Sequence, residues 1–440
     1  MYNAYVTTIK NVRKHPNADR LQLGECFGNT VCVNLDYTEG QIGVYFPTDG
    51  QLSVEFAEAN NLLRKKDADG NNIGGYMDEN KRNVTSIRLR GEKSDGLFLP
   101  ITCLEQFGDI STLKVGDTIT VFNGHEICTK YIPRRNHSNR SGGNKTRKKK
   151  VDISPLFVEH ADTEQLAYNL SAFKPGDEIE ITLKMHGTSQ RTGHLPVLTK
   201  YKRTLLDKIL RREGTPVYDW GYVSGTRRTV LENYEGGYYG SNEFREQHSK
   251  FFEGKLWKGE EIFYEVVGFT HTGVGIMATA DNKKINDKEF VKQYGKTTTF
   301  SYGCDPDGKD GLPQSDIYVY RMTMTNEDGN VVEYTPDFIR YRCEQMGVKT
   351  VPVFWKGFLQ KMDENETAGE YAQKLAEMYY DGPDPVGKTH VREGVVVRIL
   401  NRPKFAAYKH KNFSFKVLEG IIKDTADAPD MEEAEETANE

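Results

Sequence analysis

The chain has 440 residues, of which 37% are hydrophobic and 28% charged. That is enough apolar material for real cores and too long a chain for one ordinary domain. That apolar share also excludes a disordered polymer, and the 59 Lys plus Arg against 64 Asp plus Glu, a net charge of -5, argue against a uniformly basic nucleic-acid coat.

In chain order, the start MYNAYVTTIK lacks the basic-then-apolar pattern of a secretory signal. No stretch approaches the roughly 20 apolar residues of a membrane helix, so no membrane partner is expected. Residues 1–132 read as β-rich: TVCVN at 30–34 and TITVF at 118–122 alternate, with turn clusters at 48–50 and 68–70. Short strands with little helix suggest a small closed barrel. Residues 133–150 hold eight bases and no acid (Arg134, Arg135, Arg140, Lys145, Arg147, Lys148, Lys149, Lys150) and almost nothing to bury, so a flexible basic linker is expected. From 151 to 423, strand patterns (DEIEITLKM, EIFYEVVGF, DIYVYRMTM, EGVVVRIL) surround helical stretches. In the helix predicted at 367–379, Tyr371, Leu375, Met378 and Tyr379 repeat on one face. This is an α+β pattern without regular βα alternation. Residues 424–440 carry eight acids and no base and read as a disordered tail.

Six scattered cysteines without a C-x-x-C pair suit a reduced, cytoplasmic protein, or the host cytoplasm if the source is viral. His125 and Cys128 offer only two of the four ligands a structural zinc needs. No P-loop or Rossmann turn is present: Gly273 to Gly275 lacks the third glycine and a helix signal.

The chemistry concentrates in KMHGTSQR, where Lys184 ends a strand pattern and Gly187 permits a sharp turn. A lysine at its reference pKa is only about 0.04% free amine at pH 7, so a nucleophilic lysine needs nearby cations or desolvation. YKHKNFSFK supplies Lys409 and Lys411 on one face of a predicted strand. Glu265 and Glu393 stand in apolar strands, where a carboxylate is costly without a cation, a metal or a polar ligand. Structural ion pairs are the plainer reading of each carboxylate alone.

The order KMHGTSQR, SGTRR, IFYEVVGF, IYVYR, REGVVV, KHKNFSFK resembles the collinear motifs of covalent nucleotidyltransferases, the ATP-dependent RNA and DNA ligases and the capping enzymes. His186 before Gly-Thr is similar to the RNA ligase branch that seals nicks in duplexes. HPNADRLQL, GQIGVYFPTDGQL and SIRLRGEKSDGLFLP resemble the OB-like domain joined N-terminally to Deinococcus-type RNA ligases. The resemblance implies an α+β fold: an N-terminal OB-like β-barrel joined to an antiparallel-sheet nucleotidyltransferase (ATP-grasp-like ligase) domain.

It also implies roles. Lys184 is the nucleophile that takes AMP from ATP, and His186 and Gly187 complete its motif. Arg227, with Arg228 as the substitute, contacts the ribose or the 5′-phosphate end. Glu265 contacts the ribose or a metal. Tyr320 stacks on adenine, with Tyr318 as the alternative register. Glu393 engages the metal, and Lys409 and Lys411 contact the α-phosphate. Arg191 and Arg228, with Arg88, Arg90 and Lys93 near Phe98 in the N-terminal domain, are the nucleic-acid candidates. Mg²⁺ is the expected ion, with Mn²⁺ as the competing choice, and the partner is RNA or an RNA-containing duplex with a 5′-phosphate and a 3′-hydroxyl, bound by a monomer. Ser189, Tyr264 and Arg321 depart from the family pattern. A GTP-dependent capping enzyme and a catalytically silent RNA-binding protein are the alternatives.

Overall fold

The computed structural model describes residues 2–131, 153–210, 214–360 and 366–418, apart from short gaps at 49, 65–74, 76, 91, 162, 232–233, 236–238 and 286–287. The basic tract at 133–150 and the acidic stretch at 424–440 lie outside the described residues. Contacts divide the chain into two compact units, Met1–Asn136 with Lys416–Pro429, and His137–Phe415 with Asp430–Glu440.

The first unit is β-rich, as its alternating runs predict. Its main sheet has the antiparallel order Leu97–Pro100, β2 (Ile42–Phe46), β1 (Ala4–Thr8), Thr118–Ile119. One face of this sheet packs Ala4, Val6, Val44 and Phe46 against Phe56, Leu104 and Ile127. The TVCVN run forms Asn29–Asn34, the edge of a three-stranded sheet, while TITVF breaks into two short strands. Among the described residues the strands form five separate sheets rather than one closed ladder. The unit is β-rich as expected, and among the described residues its strands do not join into a closed barrel.

The second unit rests on two mostly antiparallel sheets. The first has the order Glu164–Gln165, Ala407–Lys411, Gly394–Ile399, β3 (Glu178–Leu183), Val353–Phe358, with only the Glu164–Gln165 pairing parallel. Ile179, Ile181, Val395 and Val397 alternate onto its inner face and meet Ala372, Leu375 and Ala376 of a helix, Ala368–Glu377. That helix begins at Thr367, whose side chain accepts from the Glu370 N–H while the Glu370 carboxylate accepts from the Thr367 N–H. It ends one residue short of Met378, which is exposed rather than on the predicted apolar face.

The second sheet runs β5 (Thr215–Gly225), β4 (Thr188–Lys202), β6 (Glu260–Gly268), β7 (Ser315–Thr325), then Val331–Glu333. All nine residues of β6 are buried, which suits its apolar run but requires answers for three glutamates. Glu260 receives a two-pronged guanidinium from Arg342 at 2.8 and 2.7 Å. Glu261 pairs with Arg191 at 3.3 Å. The third, Glu265, borders the turn that leads from one sheet to the other.

Candidate active site

That turn is Lys184–Gly187. β3 pairs with Gly394–Ile399 up to Leu183↔Val395, and the Lys184 N–H donates to the Gly394 carbonyl at 3.0 Å. β4 then starts against β6 with Thr188↔Val266 and Ser189↔Glu265. The chain thus leaves the first sheet at Lys184 and enters the second at Thr188. Gly187 is required by close approach, because a Cβ there would lie 2.3 Å from the Val266 carbonyl oxygen and 3.0 Å from Glu265 Cγ.

Three predicted residues meet at one carboxylate. Lys184 Nζ lies 2.7 Å and Lys411 Nζ 3.1 Å from Glu393 Oε1, and His186 Nδ1 lies 3.6 Å from Glu393 Oε2. The geometry follows from register: Gly394 pairs with Lys411, and the Asn412 N–H donates to the Glu393 carbonyl at 2.8 Å. Gly394 has φ +145°, and a Cβ there would sit 2.1 Å from the His410 carbonyl oxygen, which explains the Glu-Gly pair. Glu393 is 1% exposed. Burial opposes its ionisation, but Lys184, Lys411 and His186 together outweigh that and hold its carboxyl well below the usual carboxylate range. Two ammonium groups and the His186 ring thus meet at one buried carboxylate, with the buried Glu265 on the neighbouring sheet.

Lys409 follows on the same strand, opposite Val396 and half-buried, two residues from Lys411 and therefore on its face. Glu265 is buried on the neighbouring sheet, beside Gly187. The two tyrosines differ in surroundings. Tyr320 is half-buried, its hydroxyl hydrogen-bonds Ser189 Oγ at 2.8 Å, and its ring meets His160 edge-on at 5.1 Å. Tyr318 is buried opposite Glu265, with Lys349 over its ring. Tyr320 is thus the one that touches the strand following the nucleophile's turn.

The arginines separate sharply. Arg191, a nucleic-acid candidate by sequence, is 1% exposed. It donates to the carbonyls of Thr226 and Val158, pairs with Glu261 and lies 3.8 Å over Phe157. It anchors the SGTRR turn from inside, its guanidinium committed to buried protein groups. On the anchored turn, Arg227 is half-buried and Arg228 exposed. Arg321, the unexpected base after Tyr320, is matched by Glu333 and stacks between Phe263 and Phe405. In the first unit Arg90 is exposed. The side chains of Arg88 and Lys93 lie outside the described residues, though their backbones pair in a hairpin. Phe98, near them in sequence, is buried against Tyr37.

Sequence reasoning missed two neighbours of the turn. Arg245 is fully buried and donates to the Ser189 carbonyl at 3.1 Å and to Thr188 Oγ1 at 2.6 Å, so it holds the start of β4. Tyr302 Oη accepts from the His186 N–H at 2.8 Å. The His186 ring is held edge-on by Phe300 at 4.6 Å and Phe415 at 4.7 Å. The only sequence signals were an arginine in a polar helix and an aromatic-rich FSYG.

A divalent ion held by protein alone does not fit, since no group of three or more His, Cys, Asp or Glu converges among the described residues. One held by Glu393 and Glu265 together with phosphate oxygens fits the donor chemistry.

No protein-family model matches the sequence, and no curated protein matches it. Solved structures do match in fold. An RNA ligase of Naegleria gruberi with pyrophosphate aligns at a TM-score of 0.54 and 18% identity, covering 94% of this chain and 97% of that one. Mutants of the same ligase with ATP and Mn, and with AMP and Mn, align at a TM-score of 0.52 with the same coverage, at 18% and 16% identity. The chain shares the mixed α/β, largely antiparallel fold of these RNA ligases.

Proposed function

We propose that this chain is an ATP-dependent RNA ligase that works through a lysyl-AMP intermediate. The observation that carries the reading is the pair of ammonium groups, Lys184 and Lys411, on the buried Glu393 at the junction of two sheets, in a chain with an RNA ligase fold. Lys184 Nζ attacks the α-phosphorus of ATP; the P–N bond forms, the bond to the bridging oxygen breaks, and pyrophosphate leaves. Lys411, with Lys409 beside it, draws the phosphates in and offsets the negative charge that builds on the transferring phosphorus. Mg²⁺ or Mn²⁺, bound by Glu393 and Glu265 with the nucleotide, would supply further charge neutralisation. Tyr320 stacks on the base, and Arg227 or Arg228 meets the ribose or the RNA end.

In the second step an RNA 5′-phosphate oxygen attacks the same phosphorus and frees Lys184. In the third a 3′-hydroxyl attacks the activated 5′-phosphate, seals the strand and releases AMP. The substrate is a nick in an RNA-containing duplex, as in RNA repair. The first unit serves as the OB-like nucleic-acid-binding domain of a Deinococcus-type ligase, with Arg88, Arg90 and Lys93 on its binding face.

The test is covalent labelling by α-³²P-ATP and, in parallel, α-³²P-GTP with Mg²⁺ or Mn²⁺, followed by denaturing electrophoresis. Label from ATP alone, lost in Lys184→Ala, is the expected outcome. Label from GTP would promote a capping-type guanylyltransferase, and no label from either would favour a silent RNA-binding protein.

A further inference from the structure

The nucleophile's turn lies between two hydrogen-bond ladders. The first ends with the Lys184 N–H on the Gly394 carbonyl, and the second begins at Thr188. The His186 N–H between them is met by a phenol oxygen 116 residues away in sequence, Tyr302 Oη at 2.8 Å. A buried backbone donor is costly to leave unmet.

Tyr302 is itself held tightly. It is 2% exposed, its backbone is left-handed at φ 48°, and its ring meets His390 edge-on at 4.6 Å. A left-handed conformation at an aromatic residue persists only where the surroundings over-determine it. Those surroundings come from the loop that leads into Glu393. Asp384 Oδ2 accepts from the Gly387 N–H at 2.6 Å, and a Cβ on Gly387 would sit 2.9 Å from the Gly303 nitrogen. The loop therefore packs directly on the backbone beside Tyr302. His390, three residues before Glu393, closes on Tyr302 and also on Phe300, which in turn grips the His186 ring.

We propose that Tyr302 is a positioning residue for adenylylation: its phenol oxygen fixes the His186 N–H and so aims Lys184, while its ring ties that turn to the loop carrying Glu393. This deepens the adenylyltransferase reading and rests on it. The hydroxyl is buried and accepts from the backbone of the turn, so its effect is on the geometry of attack rather than on ATP binding. A small displacement of a nucleophile costs rate out of proportion to its cost in affinity.

The experiment uses the full chain and Tyr302→Phe, which removes one oxygen and keeps the ring. Single-turnover lysyl-AMP formation should lose about 10–100-fold in maximal rate, while the ATP concentration for half-maximal rate stays within about twofold. Damage to folding alone would lower the labelled fraction and leave the rate per competent molecule unchanged; that result, or an unchanged maximal rate, overturns the proposal. Hydrogen exchange across 184–188 gives a second readout that needs no activity. The His186 amide should lose protection in the variant, with neighbouring strands unchanged, and retained protection would overturn the proposal even if the rate had fallen. Should the wild-type chain take no label from ATP, the adenylyltransferase reading falls, and exchange at His186 still decides whether Tyr302 holds the turn.

Discussion

Glu393 is stable as an anion only because of what surrounds it. Removing either lysine takes from the buried carboxylate one of its two ammonium partners, and removing Glu393 takes from both lysines the carboxylate they share. His248 is the opposite case, a buried base with its charge refused. Burial pushes it down from 6.5 to about 4, with Asp316 pulling the other way and Arg245 adding to the depression, and its Nε2 hydrogen-bonds Ser315 Oγ at 2.8 Å. Between pH 6.5 and 4 the unfolded chain takes up a proton there that the folded chain does not, so stability falls on acidification through that window and the loss is complete below it. His248→Asn should flatten the slope, the two proteins differing by about 2 kcal/mol in the stability they lose between pH 7 and 4.5. Urea midpoints at the two pH values measure it, and parallel slopes would show that His248 titrates normally. At this scale the charged groups were legible, Glu393 as a carboxylate beside an apolar run and Lys184 and Lys411 through their motifs. Tyr302 and Arg245 were not, because what they do depends on backbone groups brought to them from far along the chain.

At the scale of elements, alternation and capping predicted most of the framework. DEIEITLKM, EIFYEVVGF, DIYVYRMTM and EGVVVRIL all became strands, and Thr367 with Glu370 capped the predicted helix. Met378 fell outside that helix because periodicity cannot say where the last turn ends. Arg191 shows what alternation leaves open: a basic residue on a strand reads as a surface group, and here Phe157 and Glu261 enclose it. The crossing between the sheets depends on Gly187. Gly187→Ala should push the turn off β6, costing about 1–3 kcal/mol and at least tenfold in the rate of labelling. Thermal unfolding and the ATP-labelling assay test both parts, and a variant with wild-type rate would mean the turn has room that the 2.3 Å approach to Val266 denies.

For the whole molecule, the second unit holds every residue placed around Lys184, together with its own core of Ile179, Ile181, Val395, Val397 and Leu375. Deleting residues 1–150 should therefore preserve much of lysyl-AMP formation while weakening the sealing of nicked duplexes, as expected if the first unit binds nucleic acid. Ligation of a nicked RNA duplex, scored beside labelling with ATP, separates the two. A shortened chain that seals as well as the intact one would remove the first unit from substrate binding. No described helix is long and apolar enough to cross a membrane.

The amino-acid sequence by itself determined the β-rich start, the strand-dominated second half and the short list of charged residues that had to find partners. These are local properties: alternation shows at neighbouring positions, and a charge inside an apolar run is conspicuous wherever the run ends up. Only the tertiary structure decided that Lys184 and Lys411 share one oxygen of Glu393, that Tyr320 rather than Tyr318 touches Ser189, that Arg191 is an internal brace, and that Tyr302 closes the turn. Each of those depends on register between strands distant in sequence, and a shift of one residue would turn every such side chain to the other face.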